Sequence, residues 1–323
     1  MKTIDKERFP KRPGIIFMGT PEFAIPSLRS LITEGYKISA VVTQPDRPEG
    51  RGKKMAFSPV KKLALEHNIL TLQPEKASDT NFCGLIRDMA PDMIIVVAFG
   101  QILNKELLMI PKWGAINIHA SLLPKYRGAA PIQWSILNNE SRTGLTILRV
   151  DEEVDTGPIL YQEAVPIKKD ETAGQLRDRL SGKAGGLLTR FLGIMAEGKV
   201  KEIVQDHTSA TYAPKIDKGM AMIEWNLDAQ RISSLIRALD PSPGAYSTIR
   251  GIKIKMFSPR ILDEGCPGTV PGRVIRKRKG ILAVETGKGI IEIGEAQCPG
   301  KRRLPSKDFL MGFSLPEGAI LGK

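Results

Sequence analysis

Pro91 to Ala98, PDMIIVVA, constrains the fold more than any other stretch, because six apolar residues run together with no polar alternation. A strand of that kind has no face suited to water, so it belongs inside a sheet covered on both sides. Other short apolar runs, from Gly14 to Met18, Lys37 to Thr43, Ile69 to Leu72, Ala115 to Ile118 and Gly144 to Val150, read as further strands. Between them EFAIPSLRSLITEG, Ser58 to His67, Ser78 to Ala90 and Ala130 to Leu137 carry helical patterns, and Glu171 to Glu197 is a long helical segment. Strands alternating with helices predict an α/β fold: a Rossmann-like open, mostly parallel sheet with helices on both faces.

From Ile223 the texture changes. One helix, LDAQRISSLIRALDP, precedes the short runs YSTIRG, IKIKMF, ILAVETG and GIIEIGEAQC, punctuated by Gly or Pro. This pattern predicts a smaller antiparallel β-barrel, OB-like in kind. The polar stretch GKVKEIVQDHTSATYAPKIDKG suits a connection. The expected division is an N-terminal extension over 1–13, a first domain over 14–200, a linker over 201–222 and a basic β-barrel domain over 223–323.

A chain of 323 residues has room for two such cores. No apolar run approaches the roughly 18–20 residues that span a bilayer. MKTIDKERFPKRPG lacks the apolar core of a signal peptide, so a cytoplasmic protein without membrane contact is expected. Cys83, Cys266 and Cys298 lie far apart, which offers neither a disulfide framework nor a zinc pattern, and no metal is expected. The net charge is +13, and residues 216–323 hold 18 Lys+Arg against 11 Asp+Glu. Such a surface attracts phosphates at long range. Gly19-Thr20-Pro21 is not a G-x-G-x-x-G turn, so no nicotinamide cofactor is expected.

In AINIHASLLP, Asn117 and His119 are two apart on a strand and share one face, leaving Ile116 and Ile118 to pack on the other. They stand at the carboxyl end of the strand, where open α/β sheets bind ligands. An amide N–H donates to a developing oxyanion and an imidazole relays a proton, a pairing suited to attack on an acyl carbon. A carboxylate to orient the imidazole is available in DEEVDTG, where Asp151, Glu152, Glu153 and Asp155 all qualify by spacing. Between the second strand and the next helix, QPDRPEGRGKKMAFSP is a long basic loop carrying Arg47, Arg51, Lys53 and Lys54.

These residues also carry a family resemblance. IIFMGTPEFA, TQPDRPEGRGKKMAFSPVK, NIHASLLPKYRGAAPIQWSI, the DTG turn, TYAPKI and KRRLPSKDFLMG together resemble the methionyl-tRNA formyltransferase family of 10-formyltetrahydrofolate-dependent enzymes. The resemblance implies that 14–200 is the formyltransferase catalytic domain and 223–323 a tRNA-binding barrel. It implies a catalytic trio of Asn117, His119 and Asp155. It implies folate contacts at Ser121, Leu122, Leu123 and Pro124, with Phe99 and Gly100 in a lip beside the pterin, and tRNA contacts at Arg47, Arg51, Lys53, Lys54 and Lys215. The implied activity moves the formyl group of 10-formyltetrahydrofolate onto the α-amino group of initiator methionyl-tRNA; separately from the resemblance, a monomer is expected. Two other readings are a formyltransferase of the same family acting on another amine, such as an amino sugar, and a non-catalytic RNA-binding protein on this scaffold.

Overall fold

The fully apolar run becomes the middle strand of a seven-stranded sheet, with all five residues of Met93–Val97 buried. The computed structural model describes residues 9–49, 54–265, 270–275 and 280–322. In chain order the elements are β1 (Gly14–Gly19), α1 (Ile25–Thr33), β2 (Lys37–Val42), β3 (Arg47–Glu49), β4 (Lys54–Ala56), α2 (Pro59–Glu66), β5 (Thr71–Leu72), α3 (Thr80–Asp88), β6 (Met93–Val97), α4 (Lys105–Leu108), β7 (Ala115–His119), α5 (Pro131–Leu137), β8 (Arg142–Arg149), β9 (Ile159–Pro166) and α6 (Ala173–Ala196). They continue with α7 (Ala229–Ala238), β10 (Tyr246–Ile249), β11 (Ile252–Asp263), β12 (Val274–Ile275), β13 (Leu282–Glu285), β14 (Ile290–Gln297), β15 (Leu304–Pro305) and α8 (Ser306–Gly312).

The chain divides into two compact units. One comprises 1–128, 143–165 and 177–213, the other 129–142, 166–176 and 214–323. The sequence-based divisions are contiguous and the units are not. Helix α5 groups with the C-terminal portion, whereas residues 201–213 group with the N-terminal sheet.

In the first unit the strand order is β5-β2-β1-β6-β7-β8-β9. Pairing is parallel from β5 through β7 and antiparallel between β7 and β8. The sheet is therefore mixed but mostly parallel, as expected. Strand alternation sends Ile16 and Met18 into a cluster with Phe82, Cys83 and Ile86 of α3. Ile15 and Phe17, equally buried, face the other way. There α6 is tied to the turn before α1 by Ser181 Oγ, which donates to Phe23 O at 3.0 Å. Ser58 caps α2 by accepting from Lys61 N, and Pro59 follows at the first helical position, where a missing N–H costs nothing. Within the basic loop, β3 and β4 pair antiparallel.

The second unit is an antiparallel sheet in the order β10-β11-β14-β13-β12, with β15 beside β14, curled into a half-barrel. On β14, buried Ile291 and Ile293 alternate with half-buried Ile290 and Glu292. They meet Ile232 and Ile236 of α7, together with Trp225 and Phe309, in one core. Asp228 starts α7 by accepting from Arg231 N. No described helix is long and apolar enough to cross a membrane.

Candidate active site

Strand β7 is held in register by β6 on one side and β8 on the other, with Asn117 opposite Leu148 and His119 opposite Thr146. Asn117 and His119 share a face, and both reach Asp155 in the loop after β8. Asn117 Nδ2 donates to Asp155 Oδ1 at 3.2 Å. His119 Nδ1 lies 3.4 Å from Asp155 Oδ2, and the two side chains are 6% and 11% exposed. Oδ2 also accepts from Gly128 N at 2.9 Å. Three residues from two chain segments thus converge on one carboxylate.

The backbone at Asp155 is left-handed, with φ +56°. A non-glycine residue pays for that conformation and needs surrounding contacts to hold it. Gln205 supplies them, since its Nε2 donates to Asp155 O at 2.9 Å and to Gly157 O at 2.7 Å. Its Oε1 accepts from Arg127 Nε at 3.1 Å and Nη2 at 2.8 Å, so the almost fully buried Arg127 backs the same amide. Gly157 is required by proximity, because a Cβ there would stand 1.9 Å from Arg149 O. Asp151, in the same loop, accepts from Thr156 Oγ1 and is exposed, as are Glu152 and Glu153.

Both ring nitrogens of His119 face protein oxygens, Nε2 lying 2.8 Å from Tyr126 O. A ring with hydrogen on each nitrogen satisfies both; a neutral ring leaves one lone pair against an oxygen. One of the two Asn117 amide hydrogens is used on Asp155, and the other finds no acceptor among the described residues. The arrangement can hold an imidazole in place between a carboxylate and a carbonyl and offer an amide donor beside it.

The segment after β7 divides between packing and surface. Ser121 is buried with its hydroxyl donating to Lys125 O at 2.6 Å, and Leu123 is buried against Leu148 and Ile159. Leu122 and Pro124 are half-buried. Phe99 is 2% exposed, and its carbonyl accepts from Thr20 Oγ1 and Gln44 Nε2. Ala98 and Gly100 on either side are exposed at positive φ. Gln101 pins this bend by accepting from Ala77 N at 2.6 Å.

Of the expected tRNA residues, Arg47 is exposed and has no ion-pair partner among the described residues. Its neighbour Asp46 is paired with Lys61 at 2.5 Å. The Lys61 hydrogen bond holds the Asp46 carboxyl below its ordinary value against the opposing effect of burial, and Gln73 assists. Lys215 is exposed in the second unit. Arg51 and Lys53 lie outside the described residues, as does Cys266, and of Lys54 only the backbone is described.

Sequence reasoning does not reach Gln205, Arg127 or the Gly128 N–H. Arg127 and Gly128 stand in the quoted KYRG run, where a signal was available. Gln205 sits in the stretch read as a connection and carries no local signal.

Comparison with known proteins adds to this geometry. A formyl transferase family profile matches residues 13–192, and the formyl transferase C-terminal domain profile matches 215–314. The methionyl-tRNA formyltransferase of Geobacter sulfurreducens is 47% identical over 310 residues, covering 96% of each chain. That of Alkaliphilus oremlandii is 44% identical over 309 residues, 96% of this chain and 99% of its own. Among solved structures, the sugar 3N-formyl transferase WlaRD superposes with a TM-score of 0.64 at 21% identity, over 90% of this chain and 98% of that one. HypX from Aquifex aeolicus, solved with tetrahydrofolic acid, gives 0.62 at 19% identity, over 93% of this chain and 47% of its own. At such identities the two structures speak to the fold, whereas the full-length relatives speak to descent. The chain belongs to the methionyl-tRNA formyltransferase family.

Proposed function

We propose that the chain transfers the formyl group of 10-formyltetrahydrofolate to the α-amino group of methionine on initiator methionyl-tRNA. The observation that supports this most directly is the meeting of Asn117 and His119 on the Asp155 carboxylate. In the transfer the amine nitrogen bonds to the formyl carbon, the bond from that carbon to N10 breaks, and the amine proton is removed while N10 gains one. Negative charge develops on the formyl oxygen in between. Asn117 is the donor for that oxygen through its second amide hydrogen, and a protonated or hydrogen-bonding His119 assists it. Asp155 orients both, and it takes the amine proton through water.

In this reading residues 14–200 carry the chemistry and residues 223–323 bind tRNA. Leu122 and Pro124 offer surface to the folate while Ser121 and Leu123 hold the segment's shape. Phe99 and Gly100 shape the pterin lip. Arg47, Arg51, Lys53, Lys54 and Lys215 meet tRNA phosphates, and the protein works in the cytoplasm as a monomer. The test offers 10-formyltetrahydrofolate with charged initiator tRNA, charged elongator tRNA and free amino sugars, and follows release of tetrahydrofolate. Formylation of the initiator alone is expected. Preferred formylation of an amino sugar would replace this substrate with another.

A further inference from the structure

The second unit holds a cavity of about 620 Å³ that formyl transfer does not use. None of the residues lining it belongs to the cluster around Asp155. Its lining comes from the end of α5 and the residues after it, from the turn after β9, from α7, and from β11 and the residue just past it.

Arg237 is its unusual member. It sits on α7 with Ile232 and Ile236, whose side chains fill the core, and only 4% of its surface is exposed. A guanidinium stripped of water normally recovers the loss from a carboxylate or from a full set of acceptors. Here Nη1 donates to Glu171 O at 3.3 Å and Nη2 to Ser234 Oγ at 3.2 Å, both uncharged partners. Nε has no hydrogen-bond partner, and no carboxylate forms an ion pair with Arg237 among the described residues. Burial pushes its pKa down, while Asp170 acts through space to raise it. The nearby turn is fixed independently, since Lys168 N donates to Glu171 Oε2 at 3.0 Å.

The cavity rim carries exposed Lys168, Lys169 and Arg260, with Glu140, Asp170 and Glu264 against them. Exposed charges are screened by solvent and roughly balance, so the sign is set by the buried, unbalanced Arg237. A guanidinium presents a planar fork that matches a tetrahedral or planar oxyanion. A phosphate engages such a fork through two oxygens, and the cavity has room for more than a bare ion.

We propose that this cavity is a binding site for a phosphate monoester, with Arg237 gripping the phosphate at the floor and Lys168, Lys169 and Arg260 closing around it at the rim. The same chemistry has two sources: a small free phosphate ester, or a phosphate of a nucleic acid strand.

Calorimetric titration of the full chain, in chloride buffer at low ionic strength, distinguishes them with inorganic phosphate, ribose 5-phosphate and tRNA as probes. Saturable binding of inorganic phosphate is expected, weakened by about tenfold or more in Arg237→Gln and in a Lys169→Ala/Arg260→Ala double variant. If the source is a small ester, ribose 5-phosphate binds more tightly than phosphate and tRNA affinity is the same in all variants. If the source is nucleic acid, the same substitutions weaken tRNA and reduce its salt slope by about one. Either pattern upholds the site. Should Arg237→Gln fail to fold, the exposed double variant carries the test alone. Unsaturable binding to the wild type, or wild-type phosphate affinity in the folded variants, overturns it.

Discussion

Gln205 and Asp155, 50 residues apart in the chain, are joined at the backbone, with Gln205 Nε2 donating to Asp155 O at 2.9 Å. The same amide holds Gly157 O and takes the buried Arg127 on its oxygen. One side chain therefore secures a left-handed residue whose conformation costs on the order of 1–3 kcal/mol. Gln205→Glu separates its two tasks. It keeps an acceptor for Arg127 but removes the donor to Asp155 and Gly157. A misplaced carboxylate is expected to lower kcat by about 10²-fold with KM for the folate little changed, at temperatures where circular dichroism shows the variant folded. A folded Gln205→Glu with wild-type kcat would remove Gln205 from any positioning role.

Asn117→Ala and His119→Ala are each expected to lower kcat by about 10²–10³, the usual loss for one preorganised donor. Because both side chains act through the Asp155 carboxylate, their effects will not multiply. Asn117→Ala combined with Asp155→Asn should be far less damaging than the product of the two single losses. Steady-state kinetics of the three singles and the double decide it. Either alanine variant retaining more than about a tenth of wild-type turnover contradicts the assigned chemistry.

The features legible in sequence are those governed by local rules. Strand period puts Asn117 and His119 on one face, and the unbroken apolar run marks β6 as a buried strand. Asp155 is not separable by spacing from Asp151, Glu152 and Glu153; what distinguishes it is burial and the contact from Gly128 N, 27 residues away. Gln205 is less visible still, since its bonds reach across 48 to 78 residues from a stretch with no periodicity. A strand, helix, strand reading of Ala115 to Val150 implies a parallel crossover. The structure instead pairs β7 and β8 antiparallel, and α5 between them groups with the other compact unit. Strand β9 shows only partial alternation in ILYQEAVP and goes unexpected.

Asp206, beside Gln205 in sequence, caps the turn His207–Ser209. Hydrogen bonds from the Ser209 and Thr208 hydroxyls, then from Thr208 N, lower its pKa from the ordinary 3.8 to about 2. A depressed carboxylate adds stability above its unfolded value and loses it as pH falls through the folded one. Asp206→Asn keeps a capping oxygen but cannot titrate. Its stability deficit in urea should be constant above about pH 5 and shrink steadily below pH 4 toward the folded value of about 2. A deficit independent of pH would show that the cap, not the charge, is what matters.

In the β3–β4 pair Arg47 and Met55 are exposed, and Asp46 is engaged by Lys61 and not by Arg47. Cations that act on phosphates through counterion release contribute to affinity in proportion to the ions they displace. Arg51→Ala should therefore weaken tRNA binding, and the slope of log K against log salt should become shallower by about one. Folate binding, measured by fluorescence titration without tRNA, should be unaffected, because no phosphate is involved. Arg47→Ala should act in the same direction, and the pair should add if both residues meet separate phosphates. An unchanged salt slope in Arg51→Ala, whatever its affinity, would take this loop out of the tRNA site.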